Sequence, residues 1–209
     1  MEDVLSLYER PYHPKYPVIC FDERPCQLVG DVLAPLAMQP GRPRREDHEY
    51  QRNGTCALLV AFEPLACRRL VRVRSQRTRL DYAAFMKELA DVHYPNAEKI
   101  VLVQDNLNTH SVGSFYVAFA AQEAYRLSTR FEMHHTPKKG SWLNMVELEL
   151  AVFAQQCLDR RISDQDTLRR EVLALAQERN QLRATVHWSF TQHDARRKLE
   201  RHYQDVIEN

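Results

Sequence analysis

The sequence predicts an α/β fold: a mixed five-stranded sheet with helices on its faces. Three observations lead there. Short apolar runs at 18–21, 55–62 and 99–103 have the length and composition of strands. Segments with helical spacing of apolar residues are interleaved with them. Two of the runs stop abruptly at an aspartate, Asp22 and Asp105.

Taken in order, residues 18–21 end in Asp22-Glu23, the pattern of a buried strand that delivers an acid at its C-terminal edge. Residues 24–53 are rich in proline and arginine and are expected to form a loop or a loosely structured insertion. The run 55–62 closes at Pro64, and 69–74 alternates like a half-exposed strand, so the two predict a hairpin. Thr78 and Asp81 make a capping-box signature ahead of Tyr82, Phe85, Met86, Leu89 and Val92, which share one helical stripe. Residues 99–103 are almost wholly aliphatic, as in a central strand buried on both faces, and lead to Asp105. A helix over about 114–125 and a strand over 131–135, stopped by Pro137, come next. Ser141 is the expected cap of a helix with the seam Leu143, Val146, Leu150, Phe153 and Cys157. Ser163 with Asp166 is the expected cap of the next, which carries Leu168, Val172, Leu175 and Leu182. This order requires a parallel crossover into the Ile100 strand.

Composition excludes several classes. The 209 residues fit one domain, 18–209, behind a lead-in of 1–17. With 44% hydrophobic and 27% charged residues the chain is neither disordered nor fibrous. No apolar run approaches the roughly 20 residues needed to span a bilayer. The acidic, polar N-terminus does not resemble a signal peptide. Five cysteines without a CxxC pair point to buried thiols in a reducing cytoplasm. A net charge of +1 argues against a strongly basic nucleic-acid module. DNA affinity would have to come from local clusters: Arg42, Arg44 and Arg45, the arginines between 68 and 79, and Arg196, Arg197 and Lys198.

Acids at the carboxyl ends of neighbouring strands, about 5 Å apart, can serve one cation site, and a hard ion such as Mg²⁺ takes oxygen ligands. Asp22 and Asp105 fit that pattern; the alternative is that each merely stops a strand. Glu147 and Glu149 flank the apolar seam of the following helix, where a carboxylate is costly unless paired or metal-bound. Periodicity does not choose between them, and an ion pair with an arginine is the alternative for either. His134 and His135 lack a partner at zinc-ligand spacing.

The segments CFDE (20–23), QDNLNTH (104–110) and PKKGSWLNMVELEL (137–150) resemble the three acidic motifs of DDE transposases of the mariner superfamily, in its bacterial insertion-sequence branch. PGRPRR (40–45), RNGT (52–55), FEPL (62–65) and the C-terminal WSFTQHDARRKLERHY extend the resemblance over essentially the whole chain. It implies a ribonuclease-H-like fold and selects Glu147 over Glu149. It also implies catalytic and metal-binding roles for Asp22, Asp105 and Glu147 on two Mg²⁺ ions, with Mn²⁺ as substitute. Asp22 would contact both ions, and Asp105 and Glu147 one each. The implied reaction hydrolyses a phosphodiester at an element end, and the freed 3′-hydroxyl then attacks target DNA.

Around these acids, Glu23, Asn106, His110, Lys138, Lys139 and Trp142 are candidates for orienting them or touching DNA. The alternatives are structural: a loop with Thr109 as a helix cap for Asn106 and His110, a solvated turn for the lysines, and a core position for Trp142. The implied partners are DNA ends and target, a second copy of the chain, and a separate chain carrying helix-turn-helix domains. Such a domain has no room before Val18, so the chain is expected to be a truncated form acting at the nucleoid. A nuclease of the same fold, or a catalytically inactive remnant that binds DNA or dimerises, is the competing expectation.

Overall fold

The computed structural model describes residues 1–200; the motif residues Arg201, His202 and Tyr203 lie outside the described residues. Helix α1 (Glu2–Tyr8) is followed by strands β1 (Val18–Asp31), β2 (Tyr50–Glu63) and β3 (Arg68–Arg74). Helix α2 (Arg79–Glu88) and a π turn (Leu89–His93) lead to β4 (Ile100–Gln104), α3 (Gly113–Ala118), α4 (Ala121–Arg130) and β5 (Phe131–His135). A 3-10 turn (Ser141–Leu143) precedes α5 (Val146–Gln156), α6 (Gln165–Gln181) and α7 (Gln192–Lys198). The five strands form one sheet in the order β3-β2-β1-β4-β5. β2 is antiparallel to β1 and β3, whereas β4 is parallel to both β1 and β5, so the sheet is mixed with β1 at its centre.

Alternation along the strands divides the core in two. Val18, Cys20, Leu58, Val60, Phe62, Val101 and Val103 face α1, α5, α6 and α7. Ile19, Phe21, Ala57, Leu59, Ala61, Ile100 and Leu102 face α2, α3 and α4. Every residue of β4 is buried, which explains its unbroken aliphatic run. The hairpin of β2 and β3 pairs Ala57 with Arg74 through Glu63 with Arg68. All five cysteines are free and buried. Among the described residues, no helix is long and apolar enough to cross a membrane.

Several expectations change. Residues 24–31 and 50–54 are strand rather than loop, because β1 and β2 run on as a long two-stranded arm, in which Cys26 and Leu28 still belong to the core. The helix expected over 114–125 is two: Phe119 is extended, and α4 begins anew at Ala121. Thr78 and Asp81 do form their capping box, but Ser141 and Ser163 are not caps. Asp164 caps α6 by accepting from the Thr167 amide at 2.7 Å, and α5 starts from a 3-10 turn with no side-chain cap. Val92 and Leu182 are exposed beyond the ends of their stripes. The lead-in carries α1, whose Val4, Leu5 and Leu7 are fully buried.

Candidate active site

The topology brings the three acids of the motifs to one end of the sheet. In the parallel ladder Cys20 pairs with Val103, so Asp22 and Asp105 each follow two residues later on adjacent strands. α5 packs against β1 and β2, which carries Glu147, in its first turn, toward the same edge. The approach is held by Asn144. Its side chain is 1% exposed, and its Nδ2 donates to the Phe21 carbonyl oxygen across 2.8 Å. The Tyr8 hydroxyl donates to the Leu143 carbonyl oxygen, also at 2.8 Å, so α1 buttresses the same turn.

Electrostatics mark the acids as a group. Burial pushes the Asp22 carboxyl up to about 7, and the charges of Asp105 and Glu147 push the same way, against the Glu23 amide that donates to Asp22 Oδ1 at 2.7 Å. Asp105 is held below the usual carboxylate range, first by its hydrogen bond with His110 Nδ1 at 2.5 Å. His110 is fully buried. Burial disfavours its cation, but Asp105 and Glu23, the latter 3.8 Å from Nε2, outweigh that and raise it to about 9. The ring stacks on Tyr82 at 5.0 Å and meets Phe21 edge-on at 5.2 Å. Tyr82 donates to Gln104 Oε1 at 2.9 Å, and Gln104 Nε2 donates to the His110 carbonyl oxygen at 3.1 Å, closing the loop around the ring. Thr109 does not cap a helix; its hydroxyl has no partner among the described residues.

Glu149 has a different fate. It is wholly buried, with Arg69 donating from Nε at 2.8 Å and Nη2 at 2.7 Å, and Arg179 from Nε at 3.1 Å and Nη2 at 3.0 Å. These bonds keep its carboxyl low despite burial. Among the described residues, Glu147 has no such partner.

The donor set suits a hard divalent cation, since it offers carboxylate oxygens, and His110 offsets only part of their mutual repulsion. Of six buried side-chain atoms without a partner among the described residues, four stand on the acid-bearing segments: Glu23 Oε1, Thr109 Oγ1, His110 Nε2 and Asn144 Oδ1. Such orphans are costly unless an ion or water satisfies them. As arranged, no three His, Cys, Asp or Glu side chains among the described residues stand close enough together to hold an ion. Asp105 is drawn to His110 instead.

Beside the acids lies an open groove of about 640 Å³, lined by Asp105, Asn106, Leu107, Lys138, Lys139 and Ser141 among others. Both lysines are exposed. Lys139 takes φ +63° in the turn that Gly140 closes by donating to the Pro137 carbonyl oxygen at 2.8 Å. A Cβ on Gly140 would meet Pro137 Cγ at 2.7 Å, so this turn requires glycine. Trp142 is not a core residue: it is 49% exposed. His134 is paired with Asp3 and Glu132, and His135 is exposed, so the two histidines form no separate centre.

Sequence reading assigned no site role to Asn144, Tyr8, Tyr82 or Gln104. Arg69 left a signal: it falls in phase with the buried Val71 and Val73, where an arginine needs a buried acid.

Residues 17–169 match the family described as DDE superfamily endonuclease. No curated protein matches the chain. Among solved structures, the Mos1 mariner paired end complex with Mn superposes with a TM-score of 0.56 at 14% identity, covering 87% of this chain and 55% of that one. The Mos1 strand transfer complex follows at 0.46 and 14% identity, covering 90% and 60%. The chain thus spans little more than half the length of the structures it matches, and the likeness establishes a shared, ribonuclease-H-like fold.

Proposed function

The chain belongs to the DDE superfamily endonuclease family, and from that premise we propose that it is the catalytic domain of a DNA transposase, cutting phosphodiesters at element ends and joining them to target DNA. One observation carries this reading: the β1–β4 ladder sets Asp22 beside Asp105 and α5 packs on β1 with Glu147 in its first turn, while the competing Glu149 is consumed by two arginines. Asp22, Asp105 and Glu147 would hold the metal. Two divalent ions, Mg²⁺ or Mn²⁺, when bound supply Lewis-acid stabilisation of the attacking and leaving oxygens in an in-line displacement.

The remaining roles fall to the chain's own groups. Buried beside Asp105 and 3.8 Å from Glu23, His110 orients the Asp105 carboxylate through its 2.5 Å hydrogen bond. Asn144 ties the Glu147 helix to the Asp22 strand. Lys138 and Lys139 meet DNA phosphates in the groove, with Asn106 beside them. DNA is the partner this chemistry demands, a second copy of the chain would bring the second end, and the site of action is the cytoplasmic nucleoid.

A second reading, a DNA-binding or dimerisation module without catalysis, draws on the arrangement of the side chains, no three of which among the described residues are placed to hold an ion. Nicking of supercoiled plasmid in Mn²⁺ separates the two. The first reading expects nicks from the wild-type chain and none from Asp22→Asn or Glu147→Gln. Plasmid that is bound but never nicked would favour the second.

A further inference from the structure

We infer that Trp142 is a stacking platform for an unpaired nucleobase at the end of a DNA duplex lying in the groove beside Asp105. The inference rests on the reading of the chain as a DNA-acting enzyme and adds to it a contact specific for single strands.

The chain has two tryptophans. Trp188 behaves as a structural one: its ring packs against Tyr8 at 5.4 Å, and its indole N–H donates to the Phe190 carbonyl oxygen at 2.8 Å. Trp142 leaves about half its surface to solvent, 49%, although its neighbour Leu143 is fully buried. The flanking backbone is fixed, because Tyr8 holds the Leu143 carbonyl and Asn144 is bonded to β1. The ring is fixed as well: Phe190 meets it at 5.4 Å and 72°, and the Lys198 ammonium lies 5.4 Å over the Phe190 ring. Exposing a large aromatic forgoes the stabilisation its burial would give. Bracing it while exposed pre-organises a surface.

The surroundings select the occupant. Ser141, immediately before Trp142, lines the groove with Asp105, Lys138 and Lys139. Lys198 adds a third cation next to the aromatic pair. Aromatic rings interleaved with lysines form the chemistry that holds single-stranded nucleic acid, with bases on the rings and phosphates on the ammonium groups. An apolar peptide would gain nothing from the three lysines. Trp142 also lies on the chain between the groove lysines Lys138 and Lys139 and the acid Glu147.

The test uses the whole chain in chelator, so that no strand is cut. Trp188→Phe leaves Trp142 as the only indole, and the probes are one DNA hairpin with a short unpaired thymidine tail and the same hairpin blunt. The tailed hairpin is expected to quench the indole emission strongly and the blunt one weakly. Trp142→Ala is expected to weaken binding of the tailed hairpin roughly 5- to 150-fold, the equivalent of about 1–3 kcal/mol, while leaving the blunt affinity unchanged. Trp142→Phe, which retains a ring, is expected to recover much of the loss, and melting curves check that each variant folds. Equal quenching by both hairpins, or equal weakening of both by Trp142→Ala, would overturn the platform and leave the DNA-acting reading intact. A folded chain that binds neither hairpin would overturn both.

Discussion

The Asn144 side-chain amide donates to the Phe21 carbonyl oxygen across 2.8 Å, and this bond fastens the start of the Glu147 helix to the strand that carries Asp22. Two acids 125 positions apart in the chain therefore rest on one buried hydrogen bond, which an isosteric change can remove. Asn144→Leu leaves the Phe21 carbonyl without its donor, so unfolding in urea is expected to lose about 1–3 kcal/mol. Nicking is expected to fall about a hundredfold, because misplacing a reacting group by an ångström costs that much. Equal activity in a variant that has lost stability would make the bond structural only.

Glu147 and Glu149 are expected to respond oppositely to neutralisation in the absence of metal. Glu149→Gln strands Arg69 and Arg179 beside an uncharged amide, at a cost of about 3–5 kcal/mol. Glu147→Gln removes a charge that has no partner among the described residues and repels Asp22, so stability in chelator stays within about 0.5 kcal/mol or rises. Calorimetric melting of the two variants reads the difference directly. A large loss at Glu147 would assign it a structural partner instead.

The groove lysines are expected to act as phosphate contacts. Lys138→Ala and Lys139→Ala should each lower the slope of log affinity against log salt for duplex DNA by about 1, independently of base sequence. Gly140→Ala should disturb both at once, since the turn has no space for its Cβ. An unchanged salt slope in the lysine double variant would leave the groove without a role in DNA binding.

A pH effect follows from the surface network of Lys87, Asp91, Glu123 and Arg126. Arg126, donating at 2.8 Å from both Nε and Nη2, and then Lys87 hold the Glu123 carboxyl down at about 2, below its unfolded value. A depressed carboxylate adds stability that is present above the unfolded pKa of about 4.3 and is lost as pH falls through the folded one. Arg126→Ala is therefore expected to lower the unfolding free energy in urea at neutral pH, by less than about 1 kcal/mol because the network is partly exposed. The gap to wild type should close between about pH 4.5 and 2 and shrink in high salt. A gap that widens in acid would reverse the sign.

The strands and their acids were legible because burial on both faces leaves a continuous aliphatic run, and Asp22 and Asp105 each end one. The hairpin of β2 and β3 was legible from its alternation. The arm beyond Arg24 was not, because only Cys26 and Leu28 of its β1 side carry an apolar alternation, broken by Pro25 and Gly30, and residues 50–55 opposite are all exposed. Glu147 and Glu149 were indistinguishable by helical phase. What separates them is Arg69, 80 residues away in sequence, and its pairing is a tertiary fact. Trp142 was expected in the core on the general habit of tryptophan. A 3-10 turn in place of the first turn of helix leaves it half outside.

The central claim, that Asp22, Asp105 and Glu147 form one metal site, is tested most directly by calorimetric titration of Mn²⁺ into the wild-type chain and into a folded Asp22→Asn, Asp105→Asn double variant, each with DNA present. The account expects binding to the wild type that disappears in the variant. Equal binding by both, or binding by neither, would contradict it.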